Sequence, residues 1–140
     1  MYKIGYTTGV FDLFHAGHVE FLKLAKSQCH YLIVGICSDN LVMQLKNRKP
    51  VFSEKDRLEI LSGIKFVDYS FIKYTTGKLQ DWKYYHFNVV FHGDQDARNR
   101  SHEKENQKKL LPYGVEFIYF DRDYRLSTTK YLNYIKEEMR

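Results

Sequence analysis

His15 and His18 stand three positions apart in the segment TTGVFDLFHAGHVEFL. On a helix that spacing puts both rings on one face, where they can donate N–H bonds to the same anion. Gly9 permits a tight turn ahead of them, and Gly17 lets a ligand come close to the backbone. A helix starting at about Ala16 would add free N–H groups and the positive end of its dipole. The segment is neither a G-x-G-x-x-G fingerprint nor a Walker A loop, so phosphate would have to be held by another device. Taken alone, the pair also fits a helix cap beside a surface histidine. It fits two zinc ligands as well, although no Cys or carboxylate is clearly placed to complete that site.

Three further clusters carry charge or hydroxyls. Lys46, Arg48 and Lys49 crowd a short loop, with Arg57 and Lys65 downstream, which suits phosphate but equally a solvated basic loop. His92-Gly93-Asp94-Gln95-Asp96 combines a glycine that allows close approach with an acidic side chain, types that an ordinary strand-to-loop turn also uses. Arg122 precedes Leu126-Ser127-Thr128-Thr129-Lys130, where hydroxyls at a helix start could meet phosphate or simply cap the helix. Asp12 could orient a histidine, meet an amine or act as a cap.

Something must bring these clusters together. Tyr2 to Thr7 reads as a strand ending near Gly9, and Phe21, Leu22, Leu24 and Ala25 recur at helical spacing. YLIVGIC, Tyr31 to Cys37, reads as a strand covered on both faces, followed by a helix capped at Ser38 or Asp39. Ser53 caps a helix with Leu58, Leu61 and Ile64 on one face, leading to a strand at Val67 to Ile72. A helix at about Lys78 to Tyr85, a strand from Asn88 to Gly93 and a polar helix from Glu103 to Leu111 follow. Val115 to Phe120 is the last strand, and the last helix starts near Ser127. Alternating strands and helices predict one α/β domain with a parallel sheet of five strands flanked by helices. The loops after Thr7, Cys37, Phe91 and Phe120 should then share one crevice at the strands' carboxyl ends.

Bulk properties narrow the classes. With 140 residues, 44% hydrophobic and 28% charged, the chain suits a single core that needs no disulfide or structural metal. Cys29 and Cys37 sit in apolar sequence and read as buried thiols of a reducing compartment, which points to the cytoplasm. MYKIGYTTGVFD lacks the apolar core of a secretory signal, and no apolar run approaches the roughly 20 residues of a membrane span. A net charge of +5 and a pI of about 9.1 suit an anionic ligand. A nucleic-acid-binding module would need a continuous basic stripe with stacking aromatics, whereas the basic residues here interrupt separate loops.

GVFDLFHAGH resembles the HxGH signature of the nucleotidyltransferase superfamily, specifically its small cytidylyltransferases. FSEKDRLEILSGIKFVD resembles the segment after their basic loop, HGDQD their HGND or GDD element, and RDYRLSTTK their RTxGxSTT motif. These matches, in order, cover nearly the whole chain. The resemblance implies a Rossmann-like, doubly wound domain over residues 1–140. It implies attack by an acceptor's phosphate oxygen on the α-phosphorus of a nucleoside triphosphate, with pyrophosphate leaving. Such chemistry rests on positioning and charge stabilisation. His15, His18, Lys46 and Arg122 are then the catalytic residues, the histidines acting as donors rather than nucleophiles. Thr8, Gly9, Phe11 and Gly17 would hold the nucleotide together with Arg57, Gly93, Asp94, Ser127 and Thr128, while Asp12 and Lys65 would meet the acceptor.

The donor implied is CTP and the acceptor a small phosphorylated alcohol, glycerol 3-phosphate first. Ethanolamine phosphate, choline phosphate, or a heptose phosphate with ATP are the alternatives. Mg²⁺ would accompany the triphosphate, whose own oxygens supply most of its ligands, so no protein metal site is expected. The family's habit implies a homodimer, with no nucleic-acid or membrane partner. Lys65 departs from an arginine of the family pattern, and Asp123 and Arg125 depart from its threonine and glycine. A catalytically silent nucleotide sensor is the remaining non-enzyme reading.

Overall fold

The run YLIVGIC buries side chains on both sides of its backbone, so its strand must lie inside a sheet covered by helices on each face. The computed structural model describes residues 1–121 and 128–139 and places this strand, β2 (Cys29–Cys37), between β1 (Tyr2–Gly9) and β3 (Tyr69–Lys73). Beyond β1 come β4 (Val89–His92) and β5 (Glu116–Tyr119), giving the order β3-β2-β1-β4-β5 with every neighbouring pair parallel. The helices are α1 (Ala16–Lys26), α2 (Asp39–Lys46), α3 (Glu54–Ser62), α4 (Leu79–Tyr85), α5 (Ser101–Leu110) and α6 (Thr128–Glu138).

Side-chain alternation along the strands divides the core in two. Leu32, Val34 and Ile36 pack with Leu22 and Ala25 of α1, Leu61 of α3, and Val89 and Phe91 of β4. Ile33 points the other way, toward Tyr6, Phe87, Val90 and Leu110, under Leu79, Trp82 and Tyr85. Each fully buried side chain of this kind contributes about 1.5–3 kcal/mol against exposure. With α1 and α3 on one face and α4 and α5 on the other, the sheet is doubly wound, as the alternating pattern predicts. Cys29 and Cys37 are both buried free thiols.

β1 does end at Gly9 as expected, its ladder with β2 running to the pair Gly9–Ile36. Several other boundaries differ from expectation for local reasons. β3 starts at Tyr69, since Val67 N donates to Ile64 O in a turn and Asp68 N reaches Leu32 O. A 3-10 helix at Gln95–Asn99, unforeseen in the sequence, follows β4 because the Asp94 carboxylate accepts from Asp96 N and turns the chain. α5 therefore begins at Ser101, earlier than Glu103.

Candidate active site

The strand order reverses between β1 and β4, which pair through Gly5–Val89 and Tyr6–Val90. Beyond those pairs the carboxyl ends frame a crevice, where ligands of such sheets bind. A cavity of about 660 Å³ lies there, lined by residues drawn from the segments 8–24, 37–50, 73–78 and 92–103, and by Phe120, Asp121, Thr128 and Thr129. The four loops expected to converge do so, and the loop after β3 joins them.

His15 is the N-cap of α1, and its Nδ1 accepts from Gly17 N at 3.0 Å. His18 Nδ1 accepts from His15 N at 3.1 Å, closing a reciprocal capping box. The N–H groups of His15 and Gly17 are thus spent on the imidazoles and are not free for an anion, contrary to the sequence reading of this helix start. The gain is a fixed tautomer. With each Nδ1 accepting, a neutral ring carries its proton on Nε2. His15 Nε2 is buried and finds no hydrogen-bond partner among the described residues, leaving a donor with nothing to bind. The two ring centroids are 3.9 Å apart, with Phe14 stacked on His18 and Tyr131 of α6 tilted against His15. Burial lowers the His15 pKa, and burial together with the charge of His15 lowers His18 to about 4. Both rings are neutral donors at neutral pH.

The loop carrying them is held under strain. Phe11 and Leu13 take φ values of 54° and 48°, a region that costs non-glycine residues of order 1–3 kcal/mol each. Asp12 counters this: its buried carboxylate accepts from Leu13 N at 3.1 Å, Val51 N at 2.7 Å and Phe52 N at 2.9 Å. Asp12 therefore lines the cavity as a fastener of two loops, not as an open acceptor-binding carboxylate. Thr128 donates to Asp12 O at 2.8 Å, tying the start of α6 to the same loop. Gly9 is needed for close approach rather than for a turn, because a Cβ there would sit 2.9 Å from the Phe11 ring.

Arg57 corrects another expectation. It is completely buried, donating from Nε to Phe52 O, from Nη1 to Val10 O and Cys37 O, and from Nη2 to Asp39 at 2.7 Å. It lies behind the cavity and locks the loops after β1 and β2 instead of touching a nucleotide. Lys65 is exposed over the Phe66 ring at 5.2 Å and lies outside the cavity lining, so it is not placed to meet an acceptor there. Lys46 and Arg48 do line the cavity at its exposed edge, where Asn47 ends α2 with a left-handed φ of 54°. Thr8, Gly17, Gly93 and Asp94 line it too, with Asp94 also held by Arg100 at 3.2 Å. Arg122 and Ser127 lie outside the described residues.

One wall went unread in the sequence. Lys73 and Lys78, at the end of β3 and in the loop after it, line the cavity at 5% and 1% exposure. Lys78 Nζ donates to Glu103 Oε1 at 2.6 Å, and His92 Nε2 lies 3.0 Å from Glu103 Oε2. Burial works to raise the Glu103 carboxyl, but His92 and the Lys78 charge hold it down at about 2. Lys73 is paired with Asp81, which also accepts from Tyr6 Oη. The available signal was position: KYTTGK follows a strand's carboxyl end, as the other site loops do.

The parallel doubly wound sheet, with paired imidazoles at a switch-point cavity, is the Rossmann-like arrangement of the nucleotidyltransferase superfamily. The chain matches the Cytidylyltransferase-like family over residues 6–133 and belongs to it. Among curated proteins it is similar to the bifunctional protein HldE of Helicobacter pylori (strain HPAG1), 47% identical over 68 residues, 48% of this chain and 15% of that protein. HldE of Wolinella succinogenes is 48% identical over 68 residues, 48% of this chain and 14% of its own length. The match thus spans about one seventh of these relatives. Among solved structures, the lipopolysaccharide core biosynthesis protein from Thermoplasma volcanium superposes with a TM-score of 0.73 at 25% identity, covering 88% of this chain and 99% of that one. Pantothenate synthetase from Thermus thermophilus shares the fold, with a TM-score of 0.58 at 14% identity over 85% of this chain and 55% of its own.

Proposed function

We propose that this chain transfers a cytidylyl group from CTP to the phosphate of a small phosphorylated alcohol, glycerol 3-phosphate first, releasing pyrophosphate. An acceptor phosphate oxygen forms the new bond to the α-phosphorus as the bond to the bridging oxygen of the β-phosphate breaks. Negative charge grows on the α-phosphoryl oxygens meanwhile, and preorganised donors stabilise it. The observation that carries the reading is the pair of Nε2–H donors, fixed by backbone N–H groups and lining the cavity beside Thr128. Lys46 and Arg122 are the cations assigned to the phosphate chain.

Among the described residues there is no group of three or more His, Cys, Asp or Glu side chains placed to hold a metal ion. Mg²⁺ would accompany the triphosphate, whose oxygens supply most of its ligands, and neutralise part of its charge. A homodimer and a cytoplasmic location belong to the same proposal, and sedimentation and cell fractionation test them. No helix among the described residues is long and apolar enough to cross a membrane.

A second reading is transfer from ATP to a sugar phosphate such as a heptose phosphate. It is favoured by the identity to HldE and by the similarity to a lipopolysaccharide core biosynthesis protein. Pyrophosphate release, measured with CTP or ATP against glycerol 3-phosphate, a heptose phosphate, phosphoethanolamine and phosphocholine, decides between them. Release with CTP and glycerol 3-phosphate is expected. Release with ATP and heptose phosphate alone selects the second reading, and no release with any pair overturns both.

A further inference from the structure

Helix α5 carries Glu103 and Asn106 one turn apart, and both are buried. Asn106 Oδ1 accepts from Lys78 N at 2.9 Å and its Nδ2 donates to Thr76 O at 2.9 Å, while Glu103 holds the Lys78 ammonium. Lys73 Nζ adds a bond to Gly77 O at 2.5 Å. The segment from Thr76 to Lys78 is thus stitched to α5 and β3 from both sides. A buried ion pair earns little stability after desolvation, so one retained in a cavity wall calls for a second reason.

The wall's polarity supplies that reason. Lys73 lines the cavity and also the neighbouring pocket, and its ammonium is bonded to Asp81, which lines only the latter. Glu103 does line it, but Lys78 at 2.6 Å and His102 at 3.8 Å crowd Oε1, and His92 at 3.0 Å faces Oε2. The carboxylate is therefore enclosed by basic groups. Lys78 carries three N–H donors and gives one to Glu103. The wall offers donors and positive charge, with Thr75 and Thr76 beside them.

We infer that Lys78, positioned by Glu103, selects acceptors whose body presents oxygen atoms, a polyol or sugar phosphate, and disfavours acceptors with an ammonium head. This rests on the nucleotidyl-transfer reading above and narrows its acceptor. A hydroxyl-bearing acceptor receives a charged donor from Lys78, whereas the head of phosphocholine or phosphoethanolamine would face that buried ammonium group.

The test is kcat/KM for glycerol 3-phosphate, glucose 1-phosphate, phosphoethanolamine and phosphocholine, in the wild type, Lys78→Met and the charge-free double variant Lys78→Met/Glu103→Gln. The double variant keeps the experiment alive if the single one leaves Glu103 unpaired and fails to fold. Wild type should prefer an oxygen-bodied acceptor. The variants should lose at least about tenfold on it, as expected for a lost charge-assisted hydrogen bond, with less loss on the ammonium-headed ones. Equal losses on all acceptors, or a wild-type preference for phosphocholine or phosphoethanolamine, overturn the inference. If no acceptor turns over, the parent reading fails. Titration calorimetry of glycerol 3-phosphate and phosphocholine on the same proteins then still reads the discrimination, and equal affinity for the two overturns it.

Discussion

Each imidazole of the candidate site bonds the helix start through Nδ1 and is proposed to donate to phosphate through Nε2, and substitution can separate the two. Asparagine can place its Oδ1 near the position of Nδ1 and keep the cap, but it offers nothing at Nε2. His15→Asn and His18→Asn should therefore fold with stability near wild type while turnover falls by about 10²–10³, the usual loss for a transition-state donor. The alanine variants should lose about 1 kcal/mol of stability in addition, because the cap goes too. Steady-state rates alongside urea unfolding read both quantities, and near-normal turnover in either asparagine variant removes that ring from the mechanism. The same geometry makes a pH prediction. His18 titrates near 4 in the folded chain against 6.5 for an unperturbed histidine, so between those values the unfolded state binds more protons. Its contribution is complete above about pH 6.5 and is lost as pH falls toward 4, by up to about 3 kcal/mol. Unfolding free energies across that range should fall less steeply in His18→Asn than in wild type; identical slopes would mean the ring is not desolvated as described.

At the scale of elements, the loop after β1 keeps its strained residues because Asp12 and Arg57 bind it from behind. Arg57→Met removes donors from three backbone carbonyls, that of Cys37 buried, and leaves the Asp39 carboxylate without this partner. It should cost about 1–3 kcal/mol, as leaving a buried acceptor without its donor does, and should lower kcat even at temperatures where the variant stays folded. A stability loss below about 1 kcal/mol in urea would show that the guanidinium does not lock the loops. None of this was legible beforehand, since an arginine beside Leu58 and Leu61 on an amphipathic helix reads as a charge facing solvent or ligand. The strands and most helices were legible because burial on both faces leaves unbroken apolar runs, and because Ser38 and Ser53 cap α2 and α3. Glu103 and Asn106 were not: in a helix as polar as SHEKENQKKL, no periodicity distinguishes a buried acid from a solvated one. The imidazole pair was legible through its spacing, whereas its tautomer needed the backbone bonds that only a folded α1 provides.

Across the whole molecule, the cavity sits where the sheet is least continuous. β1 and β2 pair from Tyr2–Cys29 to Gly9–Ile36, whereas β1 and β4 pair at Gly5–Val89 and Tyr6–Val90, with Thr7 Oγ1 bonding Phe91 O at 2.8 Å as the strands part. A triphosphate seated there would touch loops from both halves of the sheet and hold them together. Such a ligand at 100 times its Kd stabilises the fold by about 2.7 kcal/mol, which for a domain of this size raises Tm on the order of 8 °C. The cations around the cavity make that gain depend on phosphate. The shift should therefore shrink in the order CTP, CMP, cytidine, and the CTP shift should fall as salt is raised, because screening weakens exposed charges such as Lys46 and Arg48 at the rim. Thermal unfolding at matched ligand concentrations measures both trends. If cytidine stabilises the chain as much as CTP does, the cavity reads a base and not a phosphate chain, and the assignment of the imidazole pair to the α-phosphate falls with it.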